Sequence, residues 1–321
     1  MNVKLRKVNQ IKLHKYVFII GMLIFPLSQF AVFYVYMNFS NMLLAFQGLN
    51  SDYSRYWAGF RNFWLVFNGV DSELIFISLK NNLIMFFLTW FIGMPLNILF
   101  GYYLFRKKFG HSFVRVIYML PSMVSGIVMA LLFMRFTEDA LPIAFREYFG
   151  IEKFPNLLRS NSTAFGVQVF YSLWLGFASS IIIYSNAMFA INPSIIEAGE
   201  IDGTGCWTEL FYLVIPMIMP TLSTYIITGT AGIFTSSGSL FVFYGYNDVP
   251  KSTYLMGFYL FRTAMVGDLN SYPVAAATSL FLTSITIPIT LFARYVLDRV
   301  DPMNDVEQKK KIFGRRAHET V

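Results

Sequence analysis

Residues 192–216 read NPSIIEAGEIDGTGCWTELFYLVIP, and the architecture follows from this stretch and from what flanks it. Asn192 followed by Pro193 fits an N-cap and a first helical position, where a missing N–H is no loss. Ser194–Asp202 then reads as one short helix, and Gly203 supplies a left-handed stop. Thr204 fits the cap of a second helix over Gly205–Ile215. Pro216 and Pro220 suit the opening turns of the helix that follows. Ala198, Gly199, Gly203 and Gly205 are small enough for another protein's backbone to approach closely. Between Ile191 and Ile215 the chain carries Glu197, Glu200, Asp202 and Glu209 but neither Lys nor Arg.

On both sides of this acidic segment the charge vanishes. Six long stretches hold no Asp, Glu, Lys or Arg: Tyr16–Ser51, Asn81–Phe105, Val116–Met134, Ser160–Ile196, Leu210–Asn247 and Leu269–Ala293. Each supplies the roughly 20 apolar residues that cross a bilayer core of about 30 Å. The 321 residues are 56% hydrophobic and only 13% charged, against about a quarter charged in soluble domains. In hydrocarbon the backbone must satisfy its own hydrogen bonds, so these blocks are helices. The short in/out alternation of a transmembrane barrel is missing. The expected fold is all-α and polytopic, with six transmembrane helices near 17–37, 81–105, 113–135, 164–190, 217–242 and 274–297.

Charge sets the orientation. Most of the 25 Lys and Arg fall in three places: the N-terminus (Lys4, Arg6, Lys7, Lys12, Lys15), the connection at Arg106, Lys107, Lys108 and Arg115, and the C-terminal tail (Arg294, Arg299, Lys309, Lys310, Lys311, Arg315, Arg316). The positive-inside bias then puts both termini in the cytoplasm of a multi-pass cell-membrane protein. The apolar run after Lys15 is too long for a cleavable signal and lacks its small-residue end. The net charge of +7 needs no nucleic-acid partner, since a basic tail rests against anionic membrane lipid. One cysteine, Cys206, precludes an internal disulfide. His14, His111 and His318 are scattered, so no metal site is expected. The acidic segment is also cytoplasmic by this count, yet it runs against the positive trend, as a partner surface would.

The run Glu197-Ala198-Gly199-x-x-Asp202-Gly203-Thr204…Trp207-x-x-Leu210-x-x-Leu213-x-Ile215-Pro216…Pro220 resembles the EAA loop of binding-protein-dependent ABC importer permeases. It departs at Gly199 and Thr204, where that family usually has Ala, and at Leu210 and Ile215, where Phe and Leu are usual. Phe60-Arg61-Asn62-Phe63 with Ser78-Leu79-Lys80-Asn81-Asn82 is similar to the approach to the second span in the sugar-permease branch. Leu120-Pro121 and Tyr272-Pro273-Val274-Ala275-Ala276-Ala277 also fit, and Leu44-Ala45-Phe46-Gln47 is similar to permeases for oligosaccharides and polysaccharide fragments. The resemblance implies a type I ABC importer permease fold: a basic N-terminus over 1–16, a permease domain over 17–298 with its coupling loop at 193–216, and a basic tail over 299–321. It also implies a second homologous permease chain, identical or different, two copies of an ABC ATPase carrying ATP-Mg, and an extracytoplasmic solute-binding protein. By the same resemblance Glu197, Ala198, Gly199, Asp202 and Gly203 make the ATPase contact. Thr204, Trp207, Leu210 and Leu213 give the coupling helix its packing faces, and Pro216 closes the motif.

The chain itself lacks chemistry. No Gly is followed by Lys, so there is no phosphate-binding loop. No Ser/His/Asp grouping suggests a nucleophile, so the chain is not expected to be an enzyme or to hold a cofactor. The spans carry almost no titratable groups, which argues against proton coupling, a stand-alone channel or an integral membrane enzyme. A sugar path needs hydroxyls and aromatic faces, and Tyr171, Trp174, Tyr225, Thr228, Thr235 and Ser236 are the candidates. The same Gly, Ser and Thr also pack membrane helices together. A peptide, polyamine or osmolyte stays open as cargo.

Overall fold

The computed structural model of the chain describes residues 2–301 apart from 152, 153 and 247, with side chains from Lys15 onward. Most of the basic tail and the Lys4, Arg6, Lys7 and Lys12 side chains used for orientation lie outside the described residues. The chain divides into two compact units, Met1–Gly69 with Gly267–Phe281, and Val70–Val266 with Leu282–Val321.

Four continuous helices are long and apolar enough to span a membrane: Lys15–Leu44, Ser72–Phe105, Ala164–Phe189 and Ser271–Val300. Two bent pairs complete six spans, His111–Met123 with Gly126–Phe149 (101°) and Cys206–Met217 with Met219–Ala231 (69°). In chain order these are the first to sixth spans. The second starts earlier than the charge-free run predicts, because Lys80 points outward from the helix and does not interrupt it.

Two expected spans are broken. The third bends at Val124 and Ser125, whose ψ angles of 143° and 135° are extended. Pro121, three residues upstream, has already removed a helical donor. The fifth bends at Ile218, between Pro216 and Pro220. Its first arm is the loop's own second helix, and its second arm ends at Ala231, well short of 242. From Gly232 to Ser239 the backbone is irregular, and a short helix, Leu240–Tyr244, follows.

The second unit has an aliphatic and aromatic core at its loop end, formed by Ile98, Tyr102, Tyr184, Met188, Ile196, Leu210, Val214 and Ile218. The second and fourth spans pack closely there: a Cβ at Gly101 would sit 3.4 Å from the Ser185 nitrogen. In the first unit a hairpin pairs β1 (Gln47–Leu49) with β2 (Arg55–Trp57), antiparallel and with Gly48 opposite Tyr56. Helix Arg61–Asn68 follows it.

Candidate functional site

The acidic segment forms a two-helix platform. Asn192 caps Pro193–Ile201 by accepting from the Ser194 N–H at 3.1 Å. Gly203 ends that helix in the left-handed region (φ +75°), the conformation only Gly adopts freely. Thr204 does not cap the second helix, which starts from Gly205. Its hydroxyl turns back and donates to the Gly199 carbonyl at 2.8 Å, beside the Thr204 N–H that donates to the same oxygen at 3.0 Å, so Thr204 closes the first helix.

The platform sorts its residues by exposure. Glu197, Ala198, Asp202, Gly203 and Trp207 face out, whereas Gly199 and Leu210 are buried. Gly199 is therefore not a surface contact. A Cβ there would lie 2.7 Å from Leu213 Cδ1, so the glycine gives Leu213 room to pack the two helices together. Trp207 is 65% exposed and stacks on Phe211; it supplies an outward aromatic face, while Leu210 and Leu213 supply the inward one. Pro216 is half-buried before the bend.

The platform is tied to the end of the second span by charge. Arg106 Nη1 donates to Glu200 Oε1 at 2.6 Å, and its Nε lies 3.4 Å from Glu209 Oε1. Glu200 is on the first helix of the platform and Glu209 on the second. Glu209 is 1% exposed, a burial that a carboxylate tolerates only when paired and hydrogen-bonded. The Tyr102 hydroxyl lies within hydrogen-bond reach of Glu209 Oε1 (3.0 Å) and of the Cys206 carbonyl (3.1 Å). The Glu200 hydrogen bond pushes the Arg106 guanidinium above its ordinary pKa, with the Glu209 charge adding to it. Sequence reading noted the two acids but not their partner, which stands about a hundred residues away.

Toward the other end of the second span lies a cleft of about 250 Å³. Phe86 and Trp90 give it aromatic walls, and Asn82, Thr89, Ser172 and Ser236 give it polar groups. The helix widens to a π turn over Thr89–Gly93 at this level, as helices often do at functional sites. The irregular 232–239 segment forms the opposite wall and is held by side chains of the second span. Asn82 Nδ2 donates to the Ile233 carbonyl and its Oδ1 accepts from Met256 N, both at 2.8 Å. Asn81 donates to the Ser252 and Tyr254 carbonyls. Non-helical backbone at membrane depth is tolerated only where it is buried or lines a cavity.

Of the residues expected on a cargo path, Ser236 lines this cleft and Thr235 is exposed beside it on the same irregular segment. Thr228 is exposed on the second arm of the fifth span, where its hydroxyl donates to the Thr224 carbonyl. The other three lie elsewhere. Tyr171 is 1% exposed against Phe133 and Phe243. Trp174 lines a separate, wholly apolar cleft with Phe133 and Phe170. Tyr225 packs edge-on against Tyr184 beside the loop-end core. The aromatic walls, Phe86 and Trp90, were missed because helical spacing alone does not say which face of an all-apolar helix meets a cavity. The adjacent Asn81 and Asn82 were the one available signal.

Residues 90–303 match the family described as binding-protein-dependent transport system inner membrane component. The probable ABC transporter permease protein YurN of Bacillus subtilis (strain 168) is 24% identical over 88% of this chain and 96% of its own length. The polygalacturonan/rhamnogalacturonan transport system permease protein YteP of the same organism is 27% identical over 64% of this chain and 65% of its own length. Among solved structures, a chain of a bacterial alginate ABC transporter, in complex with an alginate pentasaccharide-bound periplasmic protein, superposes with a TM-score of 0.74. It is 20% identical over 91% of this chain and 98% of that chain.

Proposed function

Because this chain belongs to the family of binding-protein-dependent transport system inner membrane components, we propose that it is the permease subunit of an ABC importer for an oligosaccharide or polysaccharide fragment. In this reading it sits in the cytoplasmic membrane with both termini inside and pairs with a second permease chain. Two copies of a separate ATPase, holding ATP-Mg, dock beneath the platform, and an extracytoplasmic binding protein delivers the sugar. No catalytic residue or cofactor is assigned to the chain itself.

One observation carries the reading: the second span joins the platform to the cleft. Arg106 at one end grips both platform helices, and Trp90, sixteen positions earlier and roughly 24 Å away at 1.5 Å per residue, forms the cleft wall. Movement of the platform when the ATPases close is thus carried along one helix to the cargo site. Glu197, Ala198, Asp202, Gly203 and Trp207 form the docking face, and Gly199, Thr204, Leu210, Leu213 and Pro216 hold its shape. The relative named for polygalacturonan and rhamnogalacturonan transport favours a carbohydrate cargo. So does the cleft's pairing of ring faces with neutral polar groups, since sugars stack their apolar faces and hydrogen-bond at their edges. A polyamine finds no carboxylate in that lining.

Two substitutions test the two ends. Gly203→Val forces a β-branched residue into the left-handed region at a cost of ~1–2 kcal/mol, about a tenfold shift in an equilibrium. Less ATPase should co-purify, with membrane insertion intact; full ATPase recovery and full transport would remove the platform from the docking site. At the cleft, a Cβ at Gly229 would meet Trp90 Cζ2 at 2.3 Å. Gly229→Ala should turn the indole and raise the sugar concentration for half-maximal uptake about fivefold, in line with the ~0.5–1.5 kcal/mol of a ring contact. Unchanged uptake kinetics would move the cargo site elsewhere.

A further inference from the structure

We infer that the module between the first and second spans, residues 45–69, is an interfacial anchor whose partner is the lipid headgroup layer. Most of its aromatic rings lie outside, which is unusual for a water-exposed module. On the inner side Ala45, Asn62 and Val66 are buried, and Asn62 Nδ2 donates to the Ala45 and Gln47 carbonyls at 2.9 and 2.8 Å. This ties helix Arg61–Asn68 across the start of β1. The outer side is aromatic. Trp57 is 69%, Phe60 75% and Trp64 61% exposed, with Phe60 and Trp64 one helical turn apart. Phe46 stacks on Trp57 and meets Phe60 edge-on, which holds two of these rings in place.

The hairpin tip adds a fourth ring. Tyr53 has φ +64°, an outlier for a bulky residue, and is 73% exposed. The turn fixes it there: Tyr53 N donates to the Asn50 carbonyl, Asn50 Nδ2 to Ser54 Oγ, and Ser54 N to Asp52 Oδ1. Exposed aromatic surface on this scale marks an interaction site.

The tethers select the partner. The first span ends at Leu44 and the second starts at Ser72, leaving only two residues before β1 and three after Asn68. At ~3.5 Å per residue both ends of the module stay within about 10 Å of a span end. That distance is comparable to the headgroup region itself. Trp and Tyr with an apolar body and a polar edge are the residues that settle at this depth, and exposed Arg55 and Arg61 flank them where lipid phosphates lie.

The test is site-specific photo-crosslinking in the intact transporter, reconstituted in phosphatidylcholine–phosphatidylglycerol vesicles carrying radiolabelled phospholipid. With p-benzoylphenylalanine installed at Phe60 and, separately, at Trp64, irradiation should attach labelled lipid to this chain several-fold more than the same group at exposed Asn68. A crosslink from 60 and 64 to a protein partner instead would overturn the inference in favour of a protein-docking face. Lipid labelling no stronger than at Asn68 would overturn it in favour of a water-exposed surface.

Discussion

Arg106→Leu is expected to lower the stability of this permease by about 3–5 kcal/mol, the cost of stripping the partner from a buried charge. The loss arises at Glu209, which is 1% exposed and would be left with the Tyr102 hydroxyl in place of a cation. The measurement is the thermal midpoint of the purified, detergent-solubilised protein, which should fall by roughly 10 °C. The double variant Arg106→Leu with Glu209→Leu should recover most of the loss, because a buried ion pair replaced by packed apolar groups is often neutral or better. Transport should not recover with it: the double variant is folded but has lost its tie between the second span and both platform helices. ATP hydrolysis without uptake is the expected signature. A single variant as stable as the wild type, or a double variant that transports normally, would refute the tie.

Gly257→Ala should abolish most sugar uptake while leaving the ATPase bound. A Cβ at Gly257 would lie 2.3 Å from the Thr235 carbonyl oxygen and 2.8 Å from the Ser236 carbonyl. These are backbone atoms, so no rotamer change relieves the clash. The Gly257 N–H also donates to the Ser236 carbonyl at 3.1 Å, and Asn82 clamps Ile233 and Met256 on either side. The clash therefore pushes the irregular wall of the cleft as a unit. Overpacking of this kind costs about 1–3 kcal/mol, and an ångström of misplacement at a site is worth up to ~10²-fold in rate. Uptake of labelled oligosaccharide should drop by one to two powers of ten. Co-purification of the ATPase should hold, because the Glu200, Gly199 and Leu213 contacts that build the platform lie in the other half of the unit. Normal uptake would show that the 232–239 wall is not part of the path.

The charge-free blocks placed six spans because hydrocarbon selects on composition, which consecutive residues carry in full. Asn192, Pro193 and Gly203 marked the first platform helix for a similar reason, since caps and stops are contacts within a turn or two. Thr204 misled, because a hydroxyl at a helix boundary serves equally to start the next helix or to close the last, and the Gly199 carbonyl decided it. Gly199 also read as a surface glycine until Leu213 came to lie over it.

The acidic platform was thus legible as a unit, and the docking role proposed for it comes from its resemblance. Its mechanics were not. Whether Glu209 was a solvated loop acid or a buried one depended on Arg106 and Tyr102 arriving from another span. Whether Trp90 or Trp174 faced a polar cleft depended on Gly229 and the 232–239 wall. The local order of apolar, acidic and small residues determined the spans and the two platform helices, because helix formation and membrane partition act over neighbouring residues. Only the tertiary structure decided which face of each helix was inside, because that depends on residues far apart in the chain meeting within a few ångströms.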